Sequence, residues 1–267
     1  GAGWSLSYLL MAGLVSVGLI AVAISKEPSH ANRLDIETDP LVIAYRARVP
    51  GRGIGANAGA WITGAVIAPF VDFWRRLGWL ALPVIALVGL YKVSDISMAA
   101  MANPLYIDLG FTLSEIGAIS GVFGVAMTIS GGLLGGVMVA RFGLMSMLLA
   151  GALGVAVTNL MFAWLATQQP ELWALMITIT ADNLLVGFSA TVFIAWLSGL
   201  VSQRYTATQY ALLSSMMTLP GKIMGGPSGW IVDQTNYVVF FIYASALGIP
   251  AIVLALYLRH QPQHLNR

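Results

Sequence analysis

The chain has no cysteine, and only 9% of its residues are charged. Without cysteine there is no disulfide, no thiolate metal site and no cysteine nucleophile. A soluble domain carries charge on about a quarter of its residues, so so sparse a charge excludes an ordinary water-facing surface. Histidine is also scarce. His30, His260 and His264 all fall outside the apolar runs. They are not spaced as a metal site or as a catalytic base, and they read as solvated surface. There is no clustered basic patch of the kind that binds nucleic acid.

What is present is apolar. Hydrophobic residues make up 58% of the chain, and the mean hydropathy is +0.82. The apolar runs are continuous over about 20 residues, the length of a membrane-crossing helix, whereas barrel strands alternate over about 10. The expected class is an all-α membrane protein. Residue 1 is Gly, and the first apolar run begins without a charged leader or a small-residue cleavage site. It does not read as a signal peptide, and the expectation is a fragment that starts inside a longer protein.

Along the chain, Trp4–Ile24 is a first span within a first segment, 1–24. Residues 25–76 form a linker. It carries Lys26, Glu27, Arg33, Asp35, Glu37, Asp39, Arg46, Arg48 and Arg52, then a glycine-rich run, and reads as solvated. Its last part, about 60–76, places Ile62, Val66, Phe70 and Phe73 at helical spacing and closes on Arg75 and Arg76. That pattern predicts an amphipathic helix lying at the membrane surface, with Pro69 breaking it from the span that follows. Residues 77–267 hold six spans: 77–101, 114–139, 144–165, 172–200, 208–231 and 237–257. Thr112 and Glu115 are spaced as a capping box, and the glycines of the second of these spans allow close helix contact. Trp61, Trp74, Trp79, Trp173 and Trp230 suit anchoring at the membrane interface.

Numbering the connections alternately puts Lys26, Arg33, Arg46, Arg48, Arg52, Arg75, Arg76, Arg141, Arg204, Arg259 and Arg267 on one side. The loops around Asp108, Glu115, Glu171 and Asp233 fall on the other. Cations accumulate on the cytoplasmic side, so the linker and the C-terminus are expected there.

Four ionisable residues remain inside spans: Lys92, Asp95, Asp182 and Lys222. A charge in an apolar span costs about 3 kcal/mol on insertion scales, and such residues face cavities or partners. Counted along their spans at about 1.5 Å per residue, all four fall in one layer slightly outward of the bilayer centre. One reading is a polar centre in a translocation path, with Asp95 or Asp182 carrying protons and the lysines meeting an anionic substrate. The other is two structural ion pairs, Lys92 with Asp95 and Asp182 with Lys222. Asn183, Gln209 and Ser214 could line the same cavity or bond neighbouring helices. Thr158 and Asn159 read as packing residues.

Six spans preceded by a span and a long linker resemble the second half of a major facilitator superfamily transporter. The loop motif of that superfamily, G-x-x-x-D-R-x-G, appears as Gly136 to Gly143 with Arg141 in place and Ala140 at the acidic position. More specific stretches resemble the AmpG family of muropeptide permeases, which is related to the acetyl-CoA transporters. They are AVIAPFVDFWRR (65–76), LYKVSD (90–95), ADNLLVGF (181–188), TATQYALLSS (206–215) and the GK…GGPSGW run (221–230). The family pattern matches Lys92 and Asp95, an acidic-Asn pair at Asp182 and Asn183, Thr208 with Gln209, and a basic residue at Lys222. The family commonly carries Glu and Arg at the sites of Asp182 and Lys222, so these are the shorter and less bidentate versions. The resemblance implies the C-terminal six-helix bundle of a major facilitator fold plus one preceding helix. It implies proton-driven import of N-acetylglucosaminyl-1,6-anhydro-N-acetylmuramic acid and its peptides across the bacterial inner membrane. Partners would be the lipid bilayer, protons and the missing N-terminal half, with no cofactor, no metal and no enzymatic activity. The alternatives are a transporter of another anionic solute, such as an acyl-CoA-like compound, and a non-transporting scaffold or sensor.

Overall fold

In the computed structural model, the residues described are 2–25, 36–49, 51 and 53–261. The expectations for Lys26, Glu27, His30, Arg33, Asp35, Arg52, His264 and Arg267 lie outside them. The chain divides into two units, Gly1–Asp35 and Ile36–Arg267. The first is α1 (Ala2–Ile24), a 23-residue apolar helix. At about 1.5 Å per residue it is long enough to cross a bilayer.

The second unit opens with α2 (Pro40–Arg48), started by Asp39, whose side chain accepts from the Leu41 N–H, and by Pro40 at the first helical position. α3 (Ile54–Ile62) follows. It runs through a π-helical turn at Thr63–Ile67 into α4 (Ala68–Leu77). Pro69 has no N–H to donate to a carbonyl four residues back, and the chain answers with the wider π turn just before it rather than with a gap. α4 is strongly two-sided, burying Ala68, Pro69 and Phe73 and ending on Arg75 and Arg76. It stops where Gly78 takes φ +55°, a conformation that favours glycine.

The remaining helices form the bundle. α5 (Ala81–Leu90) and α6 (Val93–Asp108) are the two pieces of one span, interrupted at Tyr91–Lys92. α7 (Leu113–Ile116) carries the capping box between Thr112 and Glu115. It passes through a second π segment, Gly117–Gly124, into α8 (Val125–Phe142). α9 (Leu144–Leu165) and α10 (Leu172–Leu200) are unbroken. α11 (Thr206–Gly225) and the short α12 (Ser228–Gln234) make up the next span. α13 (Tyr237–Ala246) and α14 (Ile249–Arg259) make the last, parted near Pro250.

Six helices among the described residues are long and apolar enough to cross a membrane. The stretch Thr206–Gln234 is long enough but is not among them, because Lys222, Gln209 and a run of Ser and Thr dilute its hydropathy. Its place in the membrane is decided by packing on α5 and α6. Gly89 of α5 lies against Pro220, and Gly221 and Gly225 lie against Ile96 and Ser97 of α6.

α8 and α10 cross with backbones almost touching. A Cβ on Gly131 would come within 1.9 Å of the Leu184 carbonyl oxygen, and one on Gly187 within 2.0 Å of the Thr128 carbonyl oxygen. Lipid tails are as apolar as leucine, so such close backbone packing, rather than burial of oily surface, holds membrane helices together.

Two apolar clusters form the core. One lies around Leu87, Leu148, Val192, Phe193 and Trp196, at the end of the bundle that carries Arg76, Arg141, Arg204 and Arg259. The other lies around Leu105, Phe162, Leu175, Phe240 and Phe241, at the end that carries Asp108. There the Tyr237 hydroxyl donates to Asp108 at 2.6 Å and ties α13 to α6.

Candidate functional site

Tyr91 and Lys92 interrupt the α5–α6 span for a physical reason. The Tyr91 ring stacks on Phe193 of α10 with centroids 4.5 Å apart. Its hydroxyl donates to the Leu148 carbonyl of α9 at 3.0 Å and accepts from Ser189. That side chain is pinned, and the chain turns around it. Lys92 becomes the residue before α6, with φ −96° and ψ 0°. One turn on, Asp95 receives its ammonium at 2.8 Å, and the two side chains are only 12% and 15% exposed. The i, i+3 spacing allowed this pair, and the break aims both groups the same way.

Asp182 sits on α10 within electrostatic reach of Asp95 and Lys92 and against Thr158 of α9. Its Oδ1 is buried and has no hydrogen-bond partner among the described residues. Three of the four expected charges are thus brought to one place. Lys222 is not. It is exposed on α11 and forms no ion pair among the described residues, so the interhelical pair of Asp182 with Lys222 is not made. The reason is rotation about the helix axis. Gly221 is buried against Ile96, and the neighbouring residue, about 100° round the helix, turns outward beside exposed Leu219 and Ile223.

Asn183 is engaged between α8 and α10. Its Oδ1 accepts from Thr128 at 3.0 Å, and its Nδ2 donates to the Ile179 carbonyl at 2.9 Å. Ser214 bonds its own helix through the Ala211 carbonyl.

Gln209 is 3% exposed and stands at the basic end of the bundle, away from the charged layer. Its Nε2 donates to the Pro69 carbonyl and to Asp72, and its Oε1 accepts from the Ser202 N–H and from Arg76. Both polar atoms of the amide are occupied. Arg76 closes the network on Asp72 at 3.0 Å and on the Leu200 carbonyl at 3.0 Å. Asp39 is buried beside it, accepting from the Tyr205 hydroxyl with Arg204 at 3.6 Å. Burial and the Asp39 carboxylate push Tyr205 up to about 12, so the phenol keeps the proton it donates throughout the physiological range. These contacts clamp α2 and α4 onto the α10–α11 connection. We expect Gln209→Leu to leave the Ser202 N–H unpaired, at about 1–3 kcal/mol, and to remove the tie to Pro69 and Asp72 of α4. Melting temperature should fall, and trypsin should cut faster after Arg75 and Arg76. Unchanged cleavage would mean that the apolar face of α4 alone holds it.

In the loop motif, Gly143 ends α8 with φ +84°. Arg141 stacks over Phe142 at 5.5 Å and forms no ion pair among the described residues, as Ala140 at the acidic position would have it. The side of Gly136 where a Cβ would sit is open. Among the described residues there is no cluster of metal-ligating side chains. The network of Gln209, Asp39 and Tyr205 had no signal in sequence spacing, because the contacts that tie Asp39 and α4 to Tyr205 and Gln209 span 133 to 166 residues.

A broken apolar span that displays a lysine–aspartate pair beside a second carboxyl, within a bundle joined by glycine-lined crossings, defines a multi-pass membrane protein with a polar centre. Residues 85–267 match the Major Facilitator Superfamily, and the chain belongs to that superfamily. Within it the chain is similar to AmpG-type permeases. It is 29% identical over 260 residues to the anhydromuropeptide permease of Escherichia coli K12, covering 96% of this chain and 47% of that protein. It is 34% identical over 199 residues to a Rickettsia conorii protein named as transporter AmpG 4, covering 74% and 47%. With a Rickettsia typhi protein named as AmpG 3 it shares 28% over 240 residues, covering 90% and 53%. The chain spans about half the length of these relatives.

Proposed function

We propose that the complete protein is a proton-coupled importer of peptidoglycan breakdown products, N-acetylglucosaminyl-1,6-anhydro-N-acetylmuramic acid and its peptides, across the bacterial inner membrane. The observation that carries this reading is the Lys92–Asp95 pair at the break in the α5–α6 span, with Asp182 beside it. Two carboxyls and one ammonium in a small polar centre can exchange a proton for a change of partner. Protonation of Asp95 weakens its hold on Lys92 and frees the ammonium for a substrate carboxylate. Lys222 is the second cation offered to an anionic ligand, from the exposed face of α11. Broken helices near the bilayer midplane are where such transporters place their sites, between two repeats that rock against each other. The missing N-terminal half would supply the other wall. In this reading the basic end, with Arg76, Arg141, Arg204 and Arg259, is cytoplasmic, as are the linker and the C-terminus. The similarity to a protein named anhydromuropeptide permease supports the choice of substrate.

The experiment is uptake of a labelled anhydro-muropeptide into vesicles carrying the complete protein, with and without an imposed pH gradient. Gradient-dependent uptake is expected. No uptake in either condition from correctly inserted protein would remove this substrate class and leave an acyl-CoA-like or other anionic solute to be tried.

A further inference from the structure

α6 begins without a cap. Lys92 precedes its first turn, and its side chain makes no capping hydrogen bond, being engaged by Asp95. The turn that carries Asp95 is therefore not fastened along its own axis, as helix starts ordinarily are. It is fastened sideways. Ser94, 2% exposed, accepts from the Asn159 Nδ2 of α9 at 2.7 Å and donates to the Ala244 carbonyl of α13 at 2.7 Å. A buried chain of two hydrogen bonds thus joins three helices through the residue next to Asp95. On the other side of the break, the Tyr91 hydroxyl is held by the Leu148 carbonyl, also on α9. α9 carries no ionisable side chain of its own, yet it grips both edges of the interruption that displays Lys92 and Asp95.

Packing alone does not account for Asn159. It is fully buried, and its Oδ1 has no hydrogen-bond partner among the described residues. A leucine would fill a similar volume and leave no unpaired acceptor in an apolar interior, where such a group is costly. The amide is explained by what its other end does.

We propose that Asn159 is a positioning residue that acts through Ser94 to fix the first turn of α6, and with it the geometry of the Lys92–Asp95 pair. The consequence for transport rests on the function proposed above; the geometry itself can be tested apart from transport. Infrared difference spectra of the complete protein in bilayers report the carboxylate stretching band, which is sensitive to ion pairing. Asp95→Asn identifies the band by removing it. Asn159→Leu and Ser94→Ala are each expected to shift that band, and the double variant is expected to shift it no further, because both act through one link. Ser245→Ala is the control. It deletes a hydrogen bond of 2.8 Å between the same helices α13 and α9, to the Ala156 carbonyl, that does not run through Ser94; it should leave the band in place. In the uptake assay, Asn159→Leu should lose gradient-driven transport in step with the shifted band. An unshifted Asp95 band in folded Asn159→Leu or Ser94→Ala, or an equal shift in Ser245→Ala, would overturn the assignment. The spectra decide this even if the muropeptide is not the substrate. If Asn159→Leu does not insert, Ser94→Ala carries the same test with a smaller change in volume.

Discussion

Asp95→Leu should abolish gradient-driven uptake and should also strip stability from the protein. The variant leaves Lys92, with 12% of its side chain exposed, without the carboxylate that accepts from it. Removing one member of a buried pair costs about 3–5 kcal/mol, because the remaining charge stays desolvated without compensation. The informative comparison is the double variant Lys92→Met with Asp95→Leu. Replacing both charges with apolar groups of similar size relieves the burden and is often neutral or stabilising. We expect its melting temperature in detergent to return to that of the parent protein while uptake stays at the level of empty vesicles. That split would separate a pair that holds helices together from a pair that does work in the transport path. Recovery of both stability and uptake in the double variant would reduce the pair to a structural one, and the functional reading would pass to Asp182.

The second large effect belongs to the α8–α10 crossing. Gly131→Ala places a methyl 1.9 Å from the Leu184 carbonyl oxygen, and Gly187→Ala places one 2.0 Å from the Thr128 carbonyl oxygen. In both cases the obstacle is backbone, which cannot change rotamer to make room. Overpacking in a well-filled core costs about 1–3 kcal/mol and more where the neighbours cannot yield. Either variant should therefore push the helices apart and lower the yield of monodisperse protein sharply in size-exclusion chromatography. Gly132→Ala is the graded comparison. Its methyl meets the Thr191 hydroxyl at 3.1 Å and the Gly187 carbonyl oxygen only at an ordinary 3.9 Å, and a side chain can give by a few tenths of an ångström. It should fold with a small loss in melting temperature. Equal behaviour of all three would mean that the crossing is looser than the backbone contacts imply. The crossing also bears on the polar centre, since Asn183 bonds Thr128 across it one residue from Asp182.

Much of this was legible before any coordinates. Lys92 and Asp95 stand three residues apart in an apolar stretch, and local spacing is enough to bring such side chains together on a helix. Asp182 could be put at their depth by counting residues, and it does lie within their electrostatic reach. The capping box at Thr112 and Glu115 is a local signal and forms as spaced. Lys222 shows the limit. Its height along α11 could be counted, yet the side of the helix it occupies could not. A soluble helix betrays its inward face by a stripe of apolar residues, but here residues facing lipid and residues facing neighbours are both apolar. The fit of Pro220, Gly221 and Gly225 against α5 and α6 sets the rotation that leaves Lys222 exposed. Gln209 and Asn159 fail for a related reason. Each is a lone amide in its span, and what it does is defined by partners on other helices, Arg76 and Pro69 for one and Ser94 for the other.

By itself, then, the sequence determined the class of protein, the character of its long apolar runs, the two-sided distribution of its cations and the local pairing of Lys92 with Asp95. Each of these depends on composition or on distance along one helix axis, and the bilayer imposes both through its thickness and its exclusion of charge. Tertiary structure alone decided which way each helix turns about its axis and which distant polar groups meet. Those choices are settled by glycine-lined contacts and interhelical hydrogen bonds of a few ångströms, and in a chain this uniformly apolar no linear pattern encodes them.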